Sequence, residues 1–154
     1  MKKLFLLLLI FLAACASSKP PKTYKFENFR IYNQNFENVW ASSVQWFSDK
    51  NIPVNTTEKN MGHLATDYTL NIDSVKHYLD CGESGFGESI VEYTAFINVY
   101  VKKINEEKTK VSISIIYKGI SQTQISVNLG KEKINCNSKG VLEKELLDYV
   151  EMKK

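Results

Sequence analysis

Residues 91–118, VEYTAFINVYVKKINEEKTKVSISIIYK, decide the fold. Val91, Tyr93, Ala95, Ile97, Val99 and Val101 alternate with Glu92, Thr94, Phe96, Asn98, Tyr100 and Lys102. Successive side chains of a strand point to opposite faces, so the alternation predicts a strand with one dry and one wet face. Asn105-Glu106-Glu107-Lys108 is a polar turn. Beyond it Val111, Ile113, Ile115 and Tyr117 alternate with Lys110, Ser112, Ser114 and Lys118. Two such runs predict an antiparallel hairpin covered on one side only.

The covering elements lie on either side. Before the hairpin, Phe36, Val39, Trp40, Ser43, Val44 and Phe47 recur at three- and four-residue spacing, with Trp46 flanking the stripe. Asn35 is placed to cap this helix, and Pro53 prevents its continuation. Glu37, Asn38, Ser42, Gln45, Ser48 and Asp49 fall on its polar side. After the hairpin, Leu142, Leu146, Tyr149 and Val150 form the stripe of a C-terminal helix that Ser138 can cap. Ile52-Pro53-Val54 and His63–Tyr68 read as strands joined by a turn at Met61-Gly62. Thr123, Ile125, Val127 and Leu129 suggest a further strand. Residues 70–88 show no period, and Gly82, Gly85 and Gly87 mark them as a flexible loop. The expected architecture is α+β, an antiparallel sheet with an N-terminal and a C-terminal helix packed on one face.

The chain has 154 residues, 44 % apolar and 24 % charged, the composition of a globular protein. Residues 1–14 combine Lys2 and Lys3 with an apolar run, Leu4 to Leu12, and small Ala13 and Ala14, the pattern of a secretory signal. That run is too short to span a bilayer, which takes roughly 20 apolar residues. Without it the charges are 18 basic against 17 acidic, since Lys2 and Lys3 leave the 20 basic residues. A net +1 supplies no basic face for nucleic acid. Ala16 to Thr23 contains two prolines and no apolar side chain beyond Ala16, so residues 15–23 read as a tether and 24–154 as a single domain.

Leu12-Ala13-Ala14-Cys15 resembles a bacterial lipobox. The resemblance implies cleavage before Cys15 and its acylation, and two or more acyl chains hold a protein stably on a bilayer. Ala16 rather than Asp after the cysteine implies the outer membrane, facing the periplasm. In that oxidising compartment the remaining thiols, Cys81 and Cys136, are expected to form a disulfide. The competing reading puts His77 and Cys81 on one helical face as zinc ligands with Cys136, but it offers only three ligands. No metal and no cofactor is expected.

Val39-Trp40, Trp46-Phe47, Ile52 and Gly62-His63-Leu64-Ala65-Thr66-Asp67-Tyr68 together resemble the helix-grip-like domains of the BamC (NlpB) lipoprotein family. That family belongs to the outer-membrane β-barrel assembly machinery. The resemblance implies helices on one face of an antiparallel sheet. It covers about the first third of the mature domain and rests on core and turn residues. Cys136 to Glu143, Cys-x-Ser-x-Gly-x-Leu-Glu, is also similar to small periplasmic lipoproteins and implies no activity.

No metalloprotease H-E-x-x-H and no phosphate-binding loop occurs in the sequence. Gly82-Glu83-Ser84-Gly85-Phe86 departs from a nucleophile elbow because Phe86 stands where glycine is required. His63, just after a turn, reads as a solvated strand-edge residue. The expectation is a non-catalytic, membrane-anchored interaction module whose partner is another envelope protein. Phe96 and Tyr100 are its candidate contact residues. The alternative is a small-ligand or lipid carrier with its ligand between helix and sheet.

Overall fold

The computed structural model describes residues 19–73, 75–85, 87–123 and 131–153. The signal-peptide reading of 1–14 and the acylation of Cys15 fall outside the described residues. In chain order come β1 (Phe29–Tyr32), α1 (Phe36–Asp49), β2 (Thr56–Glu58), β3 (His63–Thr69), the one-turn helix α2 (Val75–Tyr78) and β4 (Leu79–Asp80). They are followed by β5 (Glu88–Lys103), β6 (Thr109–Thr123), β7 (Lys131–Ser138) and α3 (Val141–Met152). The protein is α+β, with a seven-stranded antiparallel sheet ordered β2-β3-β5-β6-β7-β4. β1 shares one edge of β6 with β7: it pairs with Thr109–Ser112, while β7 pairs with Tyr117–Gln122.

The β5–β6 hairpin forms as the alternation predicts, from Lys103 opposite Thr109 to Glu88 opposite Thr123. Ala95, Ile97, Val99, Val101, Val111, Ile113 and Tyr117 are buried. Val91 breaks the pattern. The register skips it between Ile90 and Glu92, so this bulged residue leaves the dry face and stands 43 % exposed.

Helix α1 starts where expected, with the Asn35 side chain accepting from the Asn38 N–H at 3.0 Å. Its buried face is wider than the predicted stripe, because Trp46 is fully buried, edge-on to Phe47, and Ser42 is buried too. The expected strand at Ile52–Val54 is not there. Ile52 instead plugs the core after the helix, its N–H on Phe47 O at 2.9 Å, and pairing begins at Thr56. Pro53 has no N–H to give a ladder, which displaces the strand. The turn that follows is a 3-10 turn at Lys59–Met61 closed by Gly62, with φ +65°. A Cβ there would strike Val101 O, so only glycine lets this turn lie on β5.

Residues 70–88 are not one flexible loop. Val75 on α2 and Leu79 on β4 are core residues, and β4 pairs with β7. The weak alternation at 123–129 lies almost wholly outside the described residues. The strand that extends the sheet is β7, whose sequence KEKINCNS buries only Cys136. Helix α3 is not capped by Ser138. Gly140, at φ +78°, holds the N-cap, and Ser138 Oγ accepts the Gly140 N–H at 3.0 Å.

Leu142, Leu146, Leu147 and Val150 of α3 join Val39, Trp40, Trp46 and Phe47 of α1 in one core cluster with the inner sheet residues. The two helices also touch each other through Lys50–Glu145 at 2.5 Å and Tyr149 Oη donating to Asp49 at 2.5 Å. Both therefore lie on the same side of the sheet.

Candidate functional site: the uncovered sheet face

The opposite side of the sheet is defined by its register. Asp67 faces Phe96, which faces Ile116. His63 faces Tyr100, which faces Ser112, which faces Phe29. Lys102 faces Lys110, which faces Ile31. Cross-strand partners share a face, so these rows form one outward surface over four strands. Ile116 is 53 % exposed, Ile31 52 %, Tyr100 51 % and Phe29 47 %. Tyr100, Phe29 and Ile31 occupy adjacent rows at one end of this face, and Ile116 stands four residues further along β6, beyond Ser114.

Phe96 and Tyr100 both lie on this face, as the alternation requires, but their environments differ. Phe96 is half-buried beneath Lys118, whose Nζ stands 5.2 Å from the ring centre. Tyr100 stacks on His63 with ring centres 4.5 Å apart and planes 10° from parallel. His63 is therefore a stacking partner, with Nε2 also 3.3 Å from Asn98 Oδ1. Lys110 covers Phe29 at 4.2 Å. Exposed cation–π contacts of this kind are worth about 0.5–1 kcal/mol, less than the roughly 1.5–2 kcal/mol of side-chain entropy that fixing a lysine costs, so they do not seal the face. Beside Phe96 a shallow depression of about 210 Å³ is lined by Asn55, Thr56, Asp67 and Asn98. Asn55 donates to Asp67 at 2.6 Å across it.

Ile116, Phe29 and Ile31 were not singled out in the sequence as exposed residues of this face. Ile116 interrupts the polar set Ser112, Ser114 and Lys118, and that interruption was the available signal. Phe29 and Ile31 belong to β1, too short to show a period.

Cys81 and Cys136 are paired as a disulfide, with Cα atoms 4.1 Å apart. Both sulfurs are engaged with each other, and His77 lies edge-on to Tyr78 instead. Among the described residues no group of three or more His, Cys, Asp or Glu side chains is arranged to hold a metal ion. Next to the disulfide, Asp80 gathers three donors. Oδ1 accepts from Gly82 N at 2.7 Å, and Oδ2 from Tyr24 Oη at 2.9 Å and Lys22 N at 3.3 Å. These bonds, Gly82's first, hold its carboxyl below the ordinary aspartate value.

The other perturbed groups are sealed or tied up in surface clamps. Burial raises Glu143, 1 % exposed beneath α3, above the ordinary glutamate value, with the nearby Ser138 hydroxyl opposing the shift. Burial likewise raises Tyr117, helped by Glu143. Among the described residues, Tyr117 Oη and Glu143 Oε2 have no hydrogen-bond partner. Tyr68 is pushed up to about 12 by burial. Arg30, the only arginine in the chain, bridges Glu27 at 2.6 Å and Asp148 at 3.0 Å, tying β1 to α3.

Between α1 and the sheet the space is filled by Trp46, Phe47, Leu64 and Ile97, each 1 % exposed or less. Among the described residues no helix is long and apolar enough to cross a membrane. No protein-family model and no curated protein matches this chain.

Proposed function

We propose that this protein is a lipid-anchored accessory module of the bacterial outer membrane that faces the periplasm and acts by binding another envelope protein. The observation that carries the reading is the uncovered sheet face, where Tyr100, Ile116, Phe29 and Ile31 stand half exposed. Aromatic and large apolar side chains in a polar surround have the composition of interface cores. Lys110 and Lys118 at its edge suit a partner with acidic groups around an apolar centre. The lipobox at Leu12–Cys15 supports the anchor, and one helix layer on an antiparallel sheet is compatible with a BamC-like, helix-grip relationship.

Binding rather than catalysis is favoured by where the perturbed groups lie. Glu143 and Tyr117 are sealed beneath α3, and Asp80 has its oxygens committed to neighbouring donors. The filled α1–sheet interface gives the carrier alternative no support. The double variant Tyr100→Ala, Ile116→Ser tests the reading in cells. The expected result is loss of the partner captured by in-cell crosslinking, with the melting temperature unchanged. Capture at the level of the parent protein would refute the assignment of this face.

A further inference from the structure

The segment read as a tether is bound to the domain along half its length. Lys19 O accepts from Glu83 N at 2.9 Å, and Lys19 Nζ pairs with Glu83 at 2.9 Å. Lys22 N donates to Asp80, and Asn137 Nδ2 donates to Lys22 O at 3.0 Å. Gly82, at φ +77°, lies so close beneath this strap that a Cβ would strike Lys19 O. The strap thus crosses β4, the edge strand of the sheet, beside the Cys81–Cys136 pair.

Only three residues lie between Cys15 and Lys19, and the four steps reach about 14 Å at full extension. A headgroup layer is roughly 5–8 Å thick. If Cys15 carries acyl chains, the strap edge has almost no freedom to leave the surface. Lys22 and Lys76 are exposed there, and Lys139 sits beside Lys76, its Nζ on Lys76 O at 2.5 Å. None of the three forms an ion pair among the described residues. Of the carboxylates at this edge, Asp80 is held by three donors and feels the charge of Lys139, and Glu83 is paired with Lys19.

We infer that the β4 edge is a membrane-docking surface, with Lys22, Lys76 and Lys139 against the phosphates of an anionic phospholipid bilayer. Basic groups gain in this position from the negative surface potential, within a Debye length of it. The pose is edge-on, so the uncovered sheet face stands upright and clear of the bilayer, open to a partner. The inference rests on the acyl anchor of the proposed function.

The test uses the full mature protein, purified from membranes and reconstituted into phosphatidylethanolamine–phosphatidylglycerol vesicles. Flotation is measured first, then the acylation rate of each lysine by a water-soluble reagent, in vesicles and in detergent. The expected result is flotation, with Lys22, Lys76 and Lys139 labelled about five-fold or more slowly in vesicles. Lys102 and Lys108, about 20–27 Å away along the hairpin, should label equally in both. Flotation with equal rates at all five lysines would overturn the docking and leave the anchor intact. Failure to float would overturn the anchor and the docking together.

Discussion

Glu143 is the residue at which the structure departs furthest from its sequence. A glutamate in the first turn of a helix reads as a solvated charge that suits the helix dipole. Here it is 1 % exposed against Tyr117 and Ser138. Periodicity places a residue on a face of its own helix, but Glu143 is covered by what the rest of the chain brings to that face. Because its folded pKa is raised above the unfolded value, the native state binds the extra proton. Glu143 therefore favours folding below the ordinary glutamate range, and that advantage is lost as pH rises through the folded pKa. Glu143→Gln should remove this slope and melt higher than the parent at pH 8, which thermal unfolding between pH 4 and pH 8 would show. A slope unchanged by the substitution would assign the pH dependence elsewhere.

Asp80 behaves in the opposite sense. Its carboxyl is depressed mainly by the Gly82 N–H, so its contribution is present above the ordinary aspartate range and lost as pH falls through the folded value. The strap should loosen under acid before the core does. Hydrogen exchange of the Lys22 and Gly82 amides, followed from pH 7 to pH 3, would report it.

Among the elements, the β5–β6 hairpin and α1 were the most legible. Their burial is one-sided, and one-sided burial is what leaves a period in a sequence. Asn35 is a formed cap, and Asn35→Ala should cost about 1 kcal/mol, lowering the melting temperature by about 3–5 °C. Trp46 was read as flanking but is the largest fully buried side chain, beside Phe47. Trp46→Ala should cost about 3–5 kcal/mol, a large part of a domain's total stability. Equilibrium denaturation measures both. β1, β2, β4 and β7 were not legible for physical reasons. The first three have four residues or fewer, and β7 is polar on both faces except at Cys136 and the half-buried Ile134. The strap was not legible because, apart from the Lys19–Glu83 ion pair, it is held through its backbone groups, which any residue carries. Gly82 was the one visible trace. Gly82→Ala should expose the Lys22–Thr23 bond to trypsin while the core transition moves little.

At the scale of the whole molecule, one disulfide links the β4 edge to the strand leading into α3, across 55 residues of sequence. The loop-closure model gives about 4 kcal/mol as an upper estimate of its effect on stability. Cys81 and Cys136 were legible as a pair because, with Cys15 read as the acylated residue, two cysteines remain and leave one intramolecular pairing. The helix layer and the sheet's order follow from burying every amphipathic face at once. Among the described residues that arrangement leaves one sheet face without a helix over it, and the proposed role rests on it. Phe96 and Tyr100 marked the face in the sequence, but its exposed large apolar side chains are Tyr100, Ile116, Phe29 and Ile31, while Phe96 is half-buried.

Site-specific photocrosslinking in living cells tests this role most directly. A photoreactive residue would replace Ile116 on the open face, or Glu151 on the helix side as the comparison. The account predicts a discrete, reproducible protein adduct from position 116, none from position 151, and loss of the adduct when Cys15 is replaced by serine. The same adducts from both positions, or none from position 116 in a correctly folded and membrane-bound protein, would contradict it.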